Sequence, residues 1–577
     1  MMERETDSGY YRKLIVPGII AAAFVLRFLG LGASSLTLNE TEAAFSALEL
    51  FEKGHGAPFL YTLPTALIFR MFGDTEFTAR LFPALMGVLL AVVPLLMRNQ
   101  IGKRRALLLA FLFAVDPVLL FWSKRADALA PSMAFTGLAA AFFLNGRTAA
   151  AIGCMFAALC GGDRAVPALI LSALCGAALI FAEKKDMRGF APAAFSKKEI
   201  RVTAGVLFLF LTLFGALPGG IGSFFTGIID GFRAAPAWAY PGAAAFLAAM
   251  IVYCGIPLLL FFMDCFGKRR IMRFGVSCAG IVLFLLWRGI SAMPWISAFL
   301  WSASSDRILS AAESLRGRKN FAFWAACGTV AGAFAFFYFR LVEVFNQQNG
   351  NAPVQLRWNG MQQTLPLTRT EAAALLTLAS VLIILLIVKI LLGFSDSVQI
   401  RSGILCGLLT VCCWGLLTNI WNSGGFDRVG DHPAAFHTKN SLLLLNGDYS
   451  ALTDTALPEV LDETIRKHGD SSNTDFGLDL ITDDPLVAWM LRKQKGIRAA
   501  AGISAVPDGI ELILDRPGIS YADKGFMGTV LPYRAAVRWS RLSLIDWGKW
   551  LIFGDGPDFT DTPLTFWVRG DYVISND

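Results

Sequence analysis

The sequence predicts a mainly α-helical, polytopic membrane protein with a water-soluble α/β domain at its C-terminal end. Of the 577 residues, 55% are hydrophobic and only 16% are charged, whereas soluble chains usually carry about 25% charged residues. The mean hydropathy is +0.55. Moreover, the apolar residues form blocks of roughly 17 to 25 residues, the length that crosses a bilayer. After residue 421 these blocks end, and short apolar runs alternate with polar ones.

About thirteen blocks have the length of a transmembrane helix. In chain order they are residues 14–32, 81–98, 106–122, 127–144, 147–161, 164–182, 202–218, 239–263, 274–290, 294–309, 320–340, 372–394 and 400–421. We expect the first block to be an uncleaved span rather than a signal peptide, because its apolar run is long and further spans follow it.

The basic residues gather in short loops between the predicted spans, which explains the formal net charge of +7. With a cytoplasmic N-terminus, loops 99–105, 183–201, 264–273 and 310–319 all lie inside, as the positive-inside rule requires. We therefore interpret the charge as a determinant of topology and expect no nucleic-acid partner. The sequence predicts a multi-pass plasma-membrane protein whose C-terminal domain is extracytoplasmic.

Two segments outside the spans have patterns of their own. Loop 33–80 contains two apolar, helix-like stretches that we expect to lie along the membrane surface. In the polar tail, Asp484 and Pro485 mark a helix start, because an acid caps the helix and proline needs no donor at its first position. The predicted domains are residues 1–421 in the membrane and residues 422–577 outside it.

The first loop and the spans after it resemble a known family. The run FLYTLPTALIFRMFGDTEFTARLFPALMGVLLAVVPLL, followed by FLFAVDPVLLFWSKRADALAPSMAF, resembles the N-terminal half of GT-C membrane glycosyltransferases of the protein-mannosyltransferase type. A narrower resemblance is to the flippase-activity-associated subfamily of archaeal and bacterial glycosylation loci. It is carried by HGAPFLY at 55–61, by the pair Pro294 and Trp295, and by the helix that contains Trp489 and Arg492.

The resemblance implies transfer of a sugar from a polyprenyl-phosphate carrier to an acceptor glycan, protein or lipid of the cell envelope. Inverting transfer needs a carboxylate as general base and cations for the leaving phosphate. The family supplies the base as an Asp-Glu pair after the first span. This chain reads LNETEAA at 38–44, so the aspartate is missing and Glu40 or Glu42 is the candidate base. The alternative is structural: Asn39 or Thr41 caps a surface helix that has acids in its first turn.

Asp127 lies in the outer hairpin between the third and fourth predicted spans, where the resemblance implies a further site acid. Together with a glutamate of the first loop it would bind a divalent cation, the one cofactor we consider, or orient the acceptor. The alternative is that Lys124, Arg125 and Asp127 end two helices at the water interface.

The resemblance also implies residues that bind the donor. Arg80, Arg125 and Arg288 are candidates for the phosphate, because guanidinium groups bind phosphate through two parallel hydrogen bonds. Snorkelling towards lipid headgroups is the alternative for Arg80. The stretch around the first loop and the late Pro-Trp pair suggest substrate-binding roles for His55, Tyr61 and Trp295.

Three function classes follow from these observations. The first is a glycosyltransferase that uses a lipid-linked sugar. The second is a catalytically inactive GT-C-like subunit that acts as a scaffold in envelope glycan assembly, and the altered acidic motif separates these two. The third, a secondary transporter, predicts charges at mid-membrane in paired halves. Here the charges lie almost entirely at the ends of spans, with Lys389 as the nearest exception.

Overall fold

The protein is mainly helical in the parts that the structure describes, as the sequence predicts. The computed structural model describes residues 3–33, 36–53, 59–165, 243–265, 289–314, 321–345, 353–358, 361–368, 397–424, 449–450, 480–482, 484–492, 497–499, 512–515, 520–536 and 560–569, with a few single positions between 205 and 229 and between 375 and 389. In chain order the helices up to residue 424 are α1 (Glu3–Phe28), α2 (Leu38–Leu48), α3 (Leu50–Lys53), α4 (Phe59–Phe72), α5 (Glu76–Leu96), α6 (Arg98–Ile101), α7 (Lys103–Val115), α8 (Pro117–Ser123), α9 (Leu129–Leu144), α10 (Thr148–Leu159), α11 (Ala243–Cys265), α12 (Met293–Ser314), α13 (Phe321–Phe345) and α14 (Ser397–Gly424).

Several of these helices have the apolar character of membrane spans. Within the described residues, α5 and the stretch Ser402–Trp421 of α14 are long and apolar enough to cross a membrane, and the bent pair α7 and α8 adds a third crossing if it is counted as one span. Shorter apolar stretches are Leu14–Phe28, Phe59–Phe72, Leu129–Leu144, Thr148–Leu159, Phe246–Phe261 and Phe323–Phe336. Predicted spans 164–182, 202–218, 274–290 and 372–394 lie wholly or largely outside the described residues, so the count of about thirteen spans stays a prediction.

The predicted span 106–122 is broken at Asp116. Helix α7 ends at Val115 and α8 begins at Pro117, with an angle of 59° between them. Proline has no N–H to continue the hydrogen bonding of α7, and Oδ1 of Asp116 accepts a hydrogen bond from the N–H of Leu119 at 2.7 Å. One residue thus ends the first helix and caps the second.

Side chains from two other helices hold this break in place. Arg27 of α1 is fully buried, and its guanidinium donates to the carbonyl oxygens of Phe113 and Ala114 at 3.0 Å. A cation is favourable there, because the C-terminal carbonyls of a helix carry partial negative charge. From α12, Ser297 and Trp301 donate to Oδ2 of Asp116 at 2.6 and 2.7 Å. The position of α8, and of the hairpin after it, is therefore fixed from both sides.

The two helix-like stretches of the first loop are helical, the first as α2 and the short α3 and the second as α4. That they lie along the membrane surface stays a prediction. Helix α5 begins at Glu76, five residues before the predicted span, because Thr75 caps it and accepts a hydrogen bond from the N–H of Thr78 at 3.1 Å. Buried apolar residues of α2 and α4 form a cluster of their own, separate from the main core of α5, α7, α8, α9, α11 and α12. This second cluster also contains Trp489 from the C-terminal segment.

Strands appear only after the main run of membrane helices in the described residues. Strands β1 (Pro353–Trp358) and β2 (Met361–Thr368) form an antiparallel hairpin. The tail contains β3 (Tyr449–Ser450), β4 (Leu480–Thr482), β5 (Ile497–Ala499), β6 (Leu512–Asp515), β7 (Phe526–Ala536) and β8 (Thr560–Arg569), in the sheet order β3-β7-β8-β6-β4-β5. The pairs of β4 with β5 and β6 are parallel, and the others are antiparallel.

In the described part of the tail, the α-helix α15 (Pro485–Leu491) lies between β4 and β5. Oδ1 of Asp484 accepts a hydrogen bond from the N–H of Leu486 at 2.9 Å, which confirms the helix start predicted from the Asp-Pro pair. That residues 422–577 fold as a separate α/β domain stays a prediction.

Candidate functional site

Helix α2 begins with an acid held at its own N-terminus. Thr37 is the N-cap, rather than Asn39 or Thr41, and Oε2 of Glu40 accepts a hydrogen bond from the N–H of Thr37 at 2.9 Å. An acid in this position satisfies a backbone donor that the helix leaves unpaired and interacts favourably with the helix dipole. Glu40 thus lies in the first turn of the helix, as the structural alternative expected, but the cap is Thr37 and not Asn39 or Thr41.

Glu40 is also the centre of a buried ion pair. Arg80 of α5 donates from Nε to Oε1 at 2.9 Å and from Nη2 to Oε2 at 3.0 Å, and the N–H of Ala126 donates to Oε1 at 2.9 Å. Both side chains are nearly inaccessible, with 2% of Glu40 and 4% of Arg80 exposed. The carboxylate therefore joins the first loop, the start of α5 and the hairpin after α8.

This environment keeps Glu40 ionised. Burial by itself raises the pKa of a carboxyl group, but the charges of Arg80 and Arg125 and the hydrogen bonds from Arg80 and Thr37 outweigh it. Together they lower the pKa of Glu40 from its ordinary 4.5 to about 2. A carboxylate with so low a pKa is a weak proton acceptor.

A polar cavity of about 240 Å³ opens beside this ion pair. Its walls come from α2, from the hairpin after α8 and from the turn after α10. They consist of Asn39, Glu40, Glu42, Ala43, Ser46, Trp122, Arg125, Ala126, Asp127, Asp163 and Arg164. Glu42 is exposed, so its carboxylate is available to a molecule in the cavity.

Arg125 supplies positive charge to the cavity wall. Its side chain is buried, Nη2 donates to Oγ1 of Thr37 at 2.6 Å, and its guanidinium lies 5.3 Å from the centre of the Phe121 ring. These contacts fix the guanidinium at the edge of the cavity, where an anionic group can reach it.

Asp127 belongs to an ion pair on the far wall. Its Oδ2 lies 3.2 Å from Nη2 of Arg164, and Asp163 approaches the same guanidinium at 3.6 Å. Asp163 and Arg164 lie in a short 3-10 turn, Gly162–Ala165. The arrangement presents two carboxylates and a guanidinium to polar groups such as hydroxyls.

Sequence reasoning missed Asp163 and Arg164, although two glycines before them are a signal. A Cβ built on Gly161 would lie 1.9 Å from Oγ of Ser132 in α9, so only glycine permits this close approach. Gly162 has a φ of 62°, which favours glycine over other residues. The Gly-Gly pair thus turns the chain tightly against α9 and brings the following charged residues to the cavity.

Lys124 directly precedes Arg125 in the chain but does not line the cavity. It is half-buried at the end of α8, and Nζ donates to the carbonyl oxygen of Leu29 at 2.6 Å. Burial, followed by repulsion from Arg80 and Arg27, lowers the pKa of Lys124 to about 7. A bound anion would relieve that repulsion.

The other predicted site residues lie elsewhere. Tyr61 is fully buried and donates to the carbonyl oxygen of Ala79 at 3.0 Å, while Trp295 is part of the main core; neither lines the cavity. His55 and Arg288 lie outside the described residues. In the described part of the chain, no group of three or more His, Cys, Asp or Glu side chains is placed to hold a metal ion.

The fold matches that of known membrane enzymes more clearly than the sequence does. No protein-family model and no curated protein sequence matches the chain. Among solved structures, it is similar to ArnT from Cupriavidus metallidurans in the apo state, with a TM-score of 0.50, 16% identity and coverage of 89% of this chain and 94% of that chain. For ArnT from the same organism bound to undecaprenyl phosphate, the TM-score is 0.48 and the identity 16%, with coverage of 87% of this chain and 93% of that chain. For the arabinosyltransferase EmbB from Mycobacterium smegmatis, the TM-score is 0.39 and the identity 11%, with coverage of 71% of this chain and 41% of that chain.

The similarity to apo ArnT shows the GT-C fold, which the first loop and the following spans had predicted. The chain covers nearly the whole of ArnT, so the resemblance is not confined to the N-terminal helices. Membership of the flippase-activity-associated subfamily stays a prediction.

Proposed function

We propose that the protein is a membrane glycosyltransferase that moves a sugar from a polyprenyl-phosphate donor to an acceptor on the outer face of the membrane. The observation that carries this proposal is the cavity beside α2, which is lined by the exposed Glu42 and by the buried Arg125. Transfer from a lipid phosphate needs these two kinds of group, a base for the acceptor hydroxyl and a cation for the leaving phosphate.

Of the two candidate bases, the surroundings favour Glu42. Glu40 accepts hydrogen bonds from Thr37, Arg80 and Ala126, and its low pKa makes it a poor proton acceptor. Glu42 lines the cavity and is exposed. We assign Glu42 as the general base and Glu40 as the residue that anchors its helix.

The acceptor is bound, in this proposal, by the opposite wall. Asp127 and Asp163 offer carboxylate oxygens to hydroxyl donors, and Arg164 holds both acids in place. An acceptor with several hydroxyl groups, such as a glycan or a glycolipid headgroup, fits that wall best. Arg164 carries one positive charge against the two carboxylates, so this wall stays acidic.

The phosphate of the carrier is bound by Arg125 and Lys124. Arg80 directs two of its guanidinium nitrogens at Glu40, which leaves its fork poorly placed to grip a phosphate. Burial, and then repulsion from Arg80 and Arg27, lowers the pKa of Lys124, and an anion beside these cations would be stabilised. Lys124 ends a helix next to the predicted membrane interface, so the isoprenoid chain can remain in lipid while its phosphate reaches the site.

The predicted topology supports a site on the outer face. The cavity is lined by residues within 39–46, within 122–127 and in the turn at 163–164. With a cytoplasmic N-terminus, each of these segments follows an odd-numbered predicted span, so all would lie outside. The proposed localisation is therefore the plasma membrane, with the C-terminal segment extracytoplasmic.

Carrier binding tests the phosphate site. We would reconstitute the full chain in nanodiscs and titrate it with undecaprenyl phosphate, the lipid bound in one ArnT structure. Replacing Lys124 by alanine should weaken binding by about tenfold, the loss of one charge-assisted contact. Lys103→Ala, an exposed lysine at the start of α7, is the control. Equal affinity in both variants would refute this phosphate site.

Transfer tests the base. In membranes that contain polyprenyl-linked radiolabelled sugar, Glu42→Gln should reduce the release of label from the lipid fraction by roughly 10² to 10⁴-fold, the usual contribution of a general base. Glu49→Gln, at the other end of the same helix and away from the cavity, should retain activity.

An inactive scaffold subunit is the second candidate function. It is favoured by the buried Glu40–Arg80 pair, which withdraws one acid of an already shortened motif from solvent. This alternative would be established if the wild-type protein bound undecaprenyl phosphate but transferred no sugar, and if Glu42→Gln left that binding unchanged.

A further inference from the structure

A helix of the C-terminal segment packs into the first loop. Trp489 of α15 is 1% exposed. Its ring meets Phe45 of α2 edge-on at 5.4 Å between centres and lies 6.0 Å from the ring of Phe69 in α4. A large side chain from the last fifth of the sequence thus fills the apolar space between two helices of the first loop.

Arg492, one turn further on, binds the other end of that loop. Its Nε donates to Oδ2 of Asp74 at 2.6 Å, and Nη1 lies 3.8 Å from Glu76. The guanidinium also lies over the Trp489 ring, 3.9 Å from its centre, and the indole N–H of Trp489 donates to Glu76 at 3.3 Å. The two side chains therefore act as one unit.

This unit contacts both partners of the buried ion pair through their helices. Phe45 is on α2, which also carries Glu40 and Glu42. Asp74 and Glu76 lie just before and at the start of α5, one turn before Arg80. The C-terminal segment thus contacts both helices that Glu40 and Arg80 join. It contacts α2 at Phe45, and it contacts the start of α5 at Asp74 and Glu76.

We infer that Trp489 and Arg492 are positioning residues, which hold α2 against the start of α5 and so place Glu42 in the cavity. We call them the tail clasp. The inference deepens the proposed function and rests on it for the role of Glu42. The ordering of α2 by the tail clasp does not depend on the role of Glu42. The tail clasp also gives the C-terminal segment a part in the site, although none of the described residues of that segment lines the cavity.

Hydrogen–deuterium exchange of the full chain in nanodiscs tests the clasp without any substrate. Trp489→Ala and Arg492→Ala should each accelerate exchange in residues 38–48 by about tenfold, because helix α2 loses a docking partner and opens locally. Exchange in strand β7 should not change. Lys524→Ala is the matched control, because this lysine contacts the Tyr521 ring within the tail.

Reversal of the ion pair provides a rescue. Asp74→Arg alone should loosen α2, and combining it with Arg492→Asp should restore slow exchange, because the two charges attract again in the exchanged positions. Unchanged exchange of residues 38–48 in all of the single variants would overturn the inference. Acceleration in β7 as large as that in α2 would also overturn it, since the tail itself would then be unfolding.

Kinetics separate positioning from general damage. The clasp variants should lower kcat by about tenfold and leave the affinity for undecaprenyl phosphate within about twofold, because Lys124 and Arg125 lie at and just after the end of α8, whose start is held through Asp116. If kcat and the affinity for undecaprenyl phosphate fell by the same factor, Trp489 and Arg492 would not be positioning residues for Glu42. A wild-type protein that transfers no sugar would refute the proposed function alone, and exchange in residues 38–48 would still decide whether the clasp orders α2.

Discussion

Glu40 and Glu42 are two residues apart on one helix, yet they have different surroundings. A helix turns by about 100° per residue, so positions i and i+2 point to different sides. Glu40 faces α5 and is buried with Arg80, whereas Glu42 is exposed at the cavity. A substitution at each position should therefore affect a different property, stability at Glu40 and chemistry at Glu42.

Glu40→Gln should destabilise the protein by about 3 to 5 kcal/mol, because it leaves the buried guanidinium of Arg80 without its counter-charge. Thermal unfolding in detergent measures this loss. Glu42→Gln is the control and should change stability by no more than about 0.5 kcal/mol, as is usual for exposed positions. Similar unfolding temperatures for the two variants would contradict the buried ion pair.

The pH dependence of stability gives the same contrast. The folded-state pKa of Glu40 is about 2 and its ordinary value is 4.5. A depressed carboxyl pKa stabilises the folded state above the unfolded-state value, and the effect is lost as the pH falls through the folded-state value. The difference between wild type and Glu40→Gln should therefore shrink as the pH is lowered from 4.5 towards 2.

Much of the residue-level site could be predicted. The sequence indicated Glu40, Glu42, Arg125 and Asp127, and the structure brings all four to one cavity. Their individual partners could not be predicted. A guanidinium suits a carboxylate as well as a phosphate, and only the folded chain shows that the fork of Arg80 meets Glu40, 40 residues away in sequence.

At the scale of elements, the break at Asp116 shows why hydropathy alone misplaces helix ends. The pair Asp116 and Pro117 has the same cap chemistry as Asp484 and Pro485 in the tail. Within an apolar block one acid barely changes the average hydropathy, so the sequence predicted a continuous span. In the polar tail, the same pair stood out as a helix start.

Gly87 of α5 packs closely against the bent segment and leaves no room for a larger side chain. A Cβ at Gly87 would lie 2.3 Å from Cβ of Ser123 and 2.7 Å from Nε of Arg27. Gly87→Ala should therefore destabilise the protein by about 1 to 3 kcal/mol through overpacking, despite the helix preference of alanine. Thermal unfolding provides the measurement.

Gly153 of α10 is the matched control, since a Cβ there would meet nothing within 4 Å. Gly153→Ala should be neutral or stabilising by up to about 1 kcal/mol, the difference in helix propensity. If Gly87→Ala were as stable as Gly153→Ala, the close approach of α5, α8 and Arg27 would be wrong.

For the whole molecule, the contacts of α15 constrain topology. Arg492 touches Asp74 and Trp489 touches Phe45, and segments in direct contact outside the membrane lie on the same side of it. The tail and loop 33–80 therefore share one face. The positive-inside rule predicts that this is the outer face.

Reporter fusions in a bacterial host test that orientation. Alkaline phosphatase joined after residue 577 should be active, because it folds only outside the cytoplasm, and green fluorescent protein at the same point should stay dark. Fusions in loop 99–105 should give the reverse pattern. Fluorescence from both positions would contradict the predicted orientation.

The overall fold class could be predicted because it depends on composition and block length, which need no knowledge of long-range contacts. The order of the tail strands could not. Strand β6 pairs with both β4 and β8, and β7 reaches back to β3. Such pairings join segments far apart in sequence, and short apolar runs do not specify their neighbours.

The tail clasp has a consequence for how the chain is made. Trp489 follows Glu76 by 413 residues, so a ribosome working at roughly 5 to 20 residues per second needs roughly 20 to 80 seconds to supply it. During that interval, the rings of Phe45 and Phe69 lack the Trp489 side chain that packs against them. A nascent or prematurely terminated chain would therefore expose apolar side chains of the first loop, which chaperones and proteases can recognise.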